Sequence, residues 1–307
     1  MTVPDIYSDA WRLQYLGRRY LEFLSPADLG QRYSDLLGNV LGFSDSGRPR
    51  LVGLREETGW TRRIADVVAE ANLRLLPREW LDAVERGVLQ RPYPRVLRAI
   101  EAWGTRRPEP GSYIVKYGQR EHMIALVERG SVRLTPASDY NDPSLSPAIR
   151  DDELQFATHF PPGTKLQVER EDGSGVYQDA DIAGLLTNTR QCEDFYVFCA
   201  SGTFDPRSFD DFDRKYDACV LIRDWRRFID AIKSCPPPAG KISAKSTVYL
   251  DPFFSHRSAE VPFTKHMRYR YQQEWRIVWT EPLHAPPLQP FFLELGSLSS
   301  YCELITL

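Results

Sequence analysis

The sequence predicts an α+β protein, a helical N-terminal domain followed by a mixed α+β domain, from three observations. Apolar residues at three-to-four spacing dominate the first hundred positions. Short β-rich, alternating runs follow them. Between the two textures lies Gly104 to Ser112 (GTRRPEPGS), whose prolines and glycines interrupt a helix and suit a connection. The domains therefore read as residues 1–105 and 112–307.

In chain order, Leu13, Leu16, Tyr20 and Leu24 form an apolar stripe widened by Trp11, Leu21 and Phe23. That stripe predicts a helix running up to Ser25-Pro26. Ser25 caps the next helix, with Pro26 in its first position, where a missing N–H costs nothing. Ser44 to Pro49 is a loop, and helices follow at Thr61 to Leu75, Arg78 to Leu89 and Tyr93 to Trp103. Beyond the linker, Tyr113 to Tyr117 is a strand, Glu121 to Arg129 a helix ended by Gly130, and Ser131 to Thr135 a strand. Pro136 to Pro147 is a polar, turn-rich loop. Further strands are expected at Tyr196 to Cys199, Ala218 to Ile222, Thr247 to Leu250, Glu274 to Trp279, Phe291 to Leu295 and Tyr301 to Leu307. Trp225 to Lys233 reads as a helix and Cys235 to Gly240 as a Pro-rich loop.

Composition excludes several function classes. Of 307 residues, 42% are hydrophobic and 12% aromatic, enough for a core and too many for a disordered chain. No run approaches the roughly 18–20 apolar residues that cross a bilayer, and the N-terminus lacks an apolar signal core. The five cysteines are odd in number and have no C-x-x-C spacing, which fits reduced thiols in a cytoplasmic protein and no zinc site. A net charge of −3 gives no global attraction to nucleic acid. No phosphate-binding loop, dinucleotide glycine fingerprint or nucleophile elbow occurs.

The stretch with most chemical content runs from Lys265 to Trp279 (KHMRYRYQQEWRIVW). Alternation places Glu274, Arg276 and Val278 on one strand face and Trp275, Ile277 and Trp279 on the other. Glu274 is either a site carboxylate or half of an ordinary ion pair with Arg276. Its Arg and aromatic residues interleave as on a single-strand nucleic-acid platform, serve to hold a pyrophosphate, or simply pair with neighbouring Asp and Glu. Asn141-Asp142-Pro143 is a turn, or a loop bracketing a ligand. The acidic run Arg150 to Glu153 reads as a solvated helix start in preference to a metal site. Cys199 and Cys219 read as core thiols, and His266 as a surface residue.

The order of Lys116-Tyr117, Asn141-Asp142-Pro143, Cys199-Ala200-Ser201 and Glu274-Trp275-Arg276 resembles a bacterial family with a K-Y, N-D-P, C-x-S and E-x-R layout. That family is similar to the ADP-ribosyltransferases, including DNA- and RNA-modifying members of toxin and phage-defence systems. The resemblance spans residues 113–282 and implies a mainly antiparallel, ADP-ribosyltransferase-like β domain that uses NAD. It implies Glu274 as the catalytic carboxylate, with Gln272 and Arg276 orienting the acceptor. Lys116, Tyr117, Arg133, Tyr140 and Ser201 are the implied NAD contacts, Tyr140 stacking on nicotinamide. Neither the His-Tyr-Glu nor the Arg-Ser-Glu triad of these enzymes is present intact. The expected activity is ADP-ribose transfer to a macromolecular acceptor, nucleic acid before protein, with the N-terminal domain as the seat of a regulatory protein partner. The alternative is a non-catalytic binding or sensor module on the same fold.

Overall fold

The computed structural model describes residues 9–52, 59–169, 175–235, 240–254, 260–280 and 287–307. Most of the expected loop from Cys235 to Gly240 lies outside them. The helical part comprises α1 (Asp9–Leu16), α2 (Pro26–Asn39), α3 (Trp60–Leu73), α4 (Arg78–Leu89) and α5 (Val96–Trp103). Between α2 and α3 a small hairpin pairs β1 (Leu41–Phe43) with β2 (Pro49–Leu51), so the Ser44 to Pro49 loop is a hairpin turn. Ser25 caps α2 as its sequence predicts, accepting from the Asp28 amide at 3.1 Å.

The first helix is shorter than its stripe. It ends at Leu16, the chain turns through Gly17 and a left-handed Arg19 (φ 27°), and Leu13 and Leu16 lie exposed. The turn carries Tyr20 and Leu21 inward to join Tyr15 of α1 beside Leu29, Leu36, Ile64 and Val67. It also brings Arg19 and the Tyr15 hydroxyl onto the buried carboxylate of Glu70. Tertiary bonding has overridden the local period.

The β part contains β3 (Ile114–Gly118), α6 (Arg120–Arg129), β4 (Ser131–Pro136), β5 (Gln155–Phe160), β6 (Lys165–Glu169), β7 (Tyr177–Asp181) and β8 (Leu186–Gln191). It continues with β9 (Tyr196–Ser201), α7 (Ser208–Asp211), β10 (Ala218–Ile222), α8 (Trp225–Ser234), β11 (Lys241–Ser246) and β12 (Val248–Leu250). β13 (Thr264–His266), β14 (Glu274–Thr280), β15 (Phe291–Glu294) and β16 (Cys302–Thr306) complete it. The central sheet has the order β11-β14-β9-β3-β10-β16, with β4 joining β9 and β15 joining β4. Every pairing in it is antiparallel; β12 and β13 form a separate parallel pair. The mixed, mainly antiparallel expectation holds at that level. Gly130 ends α6 with φ 66°, and a Cβ there would stand 2.4 Å from the Gly296 carbonyl oxygen.

Strand alternation splits the core. Phe198, Val220, Ile277 and Trp279 meet α6 and α8 on one face. Val115, Tyr117, Cys219 and Leu221 meet α5 and α7 on the other, and farther along it Val197 and Val278 meet Ala137 and Phe263. The two-residue period thus serves two apolar layers. Between β4 and β9, β5 pairs with β8 and β6 with β7 as a two-stranded ribbon, a segment where the sequence signals no strand.

Contacts tie the helical part to the β part. α5 packs within the β core through Ala99 and Trp103, and Arg106 in the linker binds Glu303 at 2.6 Å. Met267 lies in the core of the helical part. Asp251, just after β12, accepts from Arg32 Nη1 and Nη2 at 3.1 and 2.7 Å and from Arg63 Nε at 2.9 Å. Burial pushes the Asp251 carboxyl up, but the two guanidiniums outweigh it and hold it below its ordinary value.

Candidate active site

The site begins with a defect in the sheet. Along one edge β9 pairs fully with β14, from Glu274↔Ser201 to Trp279↔Tyr196. Its other edge is divided: β3 meets it only at Val115↔Ser201, and β4 only at Thr135↔Val197 and Pro136↔Tyr196. The strands part between these points, leaving the middle of β9 without a backbone partner on that side. A backbone carbonyl so exposed needs a donor. Lys116 supplies it, its Nζ donating to the Cys199 carbonyl oxygen at 2.7 Å.

A cleft of about 710 Å³ opens at this parting, within the range of small-molecule sites. Lys116, Arg133, Tyr140, Cys199 and Tyr216 line it, with Asn141 and Asp142 at its border. Lys116, Tyr140 and Cys199 also line an adjoining hollow of about 90 Å³, with Glu153, Ser201, Lys265, Gln272 and Glu274 around it.

Most of the residues named from the sequence therefore border one or both of these adjoining cavities. Lys116 is half-buried, its Nζ 4.7 Å from the centre of the Phe198 ring, and no carboxylate among the described residues lies within ion-pair distance of it. Burial lowers its pKa. Exposed Arg133 reaches the cleft from β4, and burial raises the Tyr140 hydroxyl well above its ordinary value. Ser201 ends β9 beside the hollow. Gln272 is held by donation from its Nε2 to the Ala148 carbonyl at 2.7 Å.

Two named residues stand differently. Tyr117 borders the cleft but commits its ring to the core against Phe204, Phe209 and Phe212, its hydroxyl accepting from the Asp205 amide at 2.8 Å. Arg276, 1% exposed, lines neither cavity and lies behind Glu274.

Glu274 belongs to a buried group of four charges. Its Oε1 accepts from Arg276 Nε at 2.7 Å and its Oε2 from Lys265 Nζ at 2.9 Å. The same cations reach a second carboxylate: Arg276 Nη2 donates to Glu153 Oε2 at 2.6 Å, and Lys265 Nζ lies 3.3 Å from Glu153 Oε1. None of the four side chains exceeds 7% exposure. Burial raises the Glu274 carboxyl, but Arg276 and Lys265 outweigh it and hold the group well below the usual carboxylate range. Cys199 stands directly opposite Arg276 in the sheet and lines the same hollow as Glu274. The backbone is also fixed, since the Glu274 amide donates to the Tyr249 hydroxyl at 2.6 Å after a left-handed Gln273 (φ 43°).

Three expectations need correction. Arg150 to Glu153 does not start a helix, and Glu153 is 6% exposed inside the charge group. Cys219 is a core thiol, whereas Cys199 is half-buried at the cleft. His266 is not a free surface residue: its Nδ1 accepts from the Arg268 amide, and burial drops its pKa to about 3. Glu153, Lys265 and Tyr249 surround Glu274 and its partners, and the sequence singled out none of them for the site. Lys265 sits nine residues before its carboxylate in the same pointed stretch, but Glu153 has no local signal, since its partners lie over a hundred residues away.

Chemically, the arrangement offers a fixed anion beside a polar hollow and a cation without a carboxylate partner at the entrance to a larger cleft. Such a pairing suits a ligand with a phosphate at one end and developing positive charge at the other. Among the described residues there is no group of His, Cys, Asp and Glu able to hold a metal, and no helix long and apolar enough to cross a membrane. No protein-family model, no curated protein and no solved structure matches this chain.

Proposed function

We propose that the protein is an NAD-dependent ADP-ribosyltransferase acting on a macromolecular acceptor. The observation that carries this reading is the convergence of Lys116, Tyr140, Ser201, Gln272 and Glu274 on one hollow from separate elements of the chain. NAD supplies the ADP-ribosyl group and the nicotinamide that leaves when the bond between ribose and nicotinamide breaks. Lys116 and Arg133 attract the pyrophosphate, and Tyr140 offers a ring for nicotinamide. Glu274, ionised at neutral pH, accepts from the ribose hydroxyls and stabilises the positive charge that develops on the sugar as the bond breaks. Gln272 borders the position from which an acceptor approaches. Arg276 acts on the acceptor only through Glu274, since it is sealed from both cavities.

A second reading has its own support. Both oxygens of Glu274 already accept from cations, as a non-catalytic binding module on this scaffold would tolerate. Incubation with labelled NAD and separate pools of DNA, RNA and protein separates the two. Label in one pool identifies the acceptor class, with nucleic acid expected first. NAD binding without label in any pool favours the non-catalytic module, and absent NAD binding removes the transferase reading.

A further inference from the structure

The four buried charges contain two carboxylates and two cations, so they sum to zero. Without Glu153, Lys265 and Arg276 would face Glu274 alone, and the group would carry one net positive charge. A buried net charge of that kind acts strongly over the few ångströms to the hollow, where solvent screening is weak. Glu153 shares both cations with Glu274 and also lines the hollow itself.

We propose that Glu153 is the positioning residue of this site, a second carboxylate that balances Lys265 and Arg276 and so leaves the negative charge of Glu274 available to the cleft. In catalytic terms this rests on the transferase reading, but the charge balance itself does not. Cys199 makes the two separable. Cys199 lines the hollow beside Glu274 and feels the same surroundings, with burial, Glu274 and Glu153 raising its pKa and Arg276 and Lys116 lowering it. Its reactivity as a thiolate therefore reports the local potential without any turnover.

The test compares wild type, Glu153→Gln, Lys265→Met and the double variant. Native iodoacetamide labelling of Cys199 is followed by peptide mass spectrometry from pH 8 to 10, with buried Cys219 as the internal control. The uncompensated positive charge in Glu153→Gln should speed Cys199 labelling by about tenfold, the effect of one pKa unit. Lys265→Met should slow it, and the double variant, neutral again, should return near wild type. On NAD, Glu153→Gln should lower kcat by about tenfold or more at unchanged KM, and the double variant should recover much of that loss. A merely structural Glu153 predicts no opposite signs and no rescue. Unchanged Cys199 labelling in Glu153→Gln overturns the proposal whatever the turnover. If Glu153→Gln does not fold, Lys265→Met decides: unslowed labelling overturns the proposal equally. The expected labelling pattern in a protein that never consumes NAD would keep the charge balance and discard the transferase.

Discussion

Lys116 Nζ hydrogen-bonds the Cys199 carbonyl oxygen across the point where β3 and β9 part, so a side chain replaces a ladder bond. The ammonium is held where burial lowers its pKa by more than nearby Cys199 and Glu274 raise it. For a basic group, a folded pKa below the unfolded one means that the charged form weakens the fold at neutral pH. Stability from this position therefore rises as pH climbs through the lowered pKa.

Lys116→Met should change the melting temperature little at pH 7, since relief of a buried charge offsets the lost bond to the Cys199 carbonyl, while NAD affinity falls by about tenfold or more. Thermal unfolding and calorimetric titration check both halves. A large loss of stability with unchanged affinity would make Lys116 a purely structural residue.

Glu274→Gln should reduce ADP-ribose transfer by about a hundredfold while NAD still binds, the scale for losing one electrostatic contact specific to the transition state. It should also destabilise the fold, because Lys265 and Arg276 keep only Glu153 as a carboxylate partner. Calorimetry alongside transfer assays checks this, and equal transfer rates would remove Glu274 from the chemistry.

Acid should act through the same group. The folded pKa of Glu274 is depressed, so its contribution is complete above the unfolded carboxylate value and is lost as pH falls below it. Asp251 adds to this loss in the same direction. Asp151 behaves oppositely: burial raises it to about 6, so its ionisation costs stability at neutral pH. Asp151→Asn should gain about 1 kcal/mol or more at pH 7 and nothing at pH 4. Urea unfolding at the two pH values decides it, and an equal effect at both would refute the pH assignment.

Asp251→Asn should cost about 3–5 kcal/mol, the scale for breaking a buried pair and stranding its cations, here Arg32 and Arg63. Chemical denaturation measures the loss. A change below about 1 kcal/mol would mean that the pair adds little.

Legibility in the sequence followed the range of the forces involved. The cap at Ser25, the α4 boundaries and the alternation of Glu274 to Trp279 were readable because each depends on neighbours a few residues away. The end of α1 was not, because Glu70 draws Arg19 out of the helical period from 51 residues away. Glu274 stood out by its aromatic and basic flanks. Glu153 looked like a solvated acid because nothing within its own segment shows the two cations that meet it. The ribbon from Gln155 to Gln191 escaped notice because β7 and β8 are polar and exposed, with no buried face to impose a period, and only Phe156 and Thr158 of β5 are buried.

The Arg32–Asp251 pair also bears on how the chain is made. Arg32 leaves the ribosome 219 residues before its partner exists, and Met267, which completes the core of the helical part, follows later still. The nascent helices must therefore wait with two guanidiniums unneutralised and part of their apolar surface uncovered, a long-range closure of the kind that slows folding. Lys265 and Glu274 emerge in one late stretch, so the candidate active site closes only after that stretch has left the ribosome. A chain truncated before that stretch would carry the helices yet lack Glu274 and both of the cations, Lys265 and Arg276, that hold it in place.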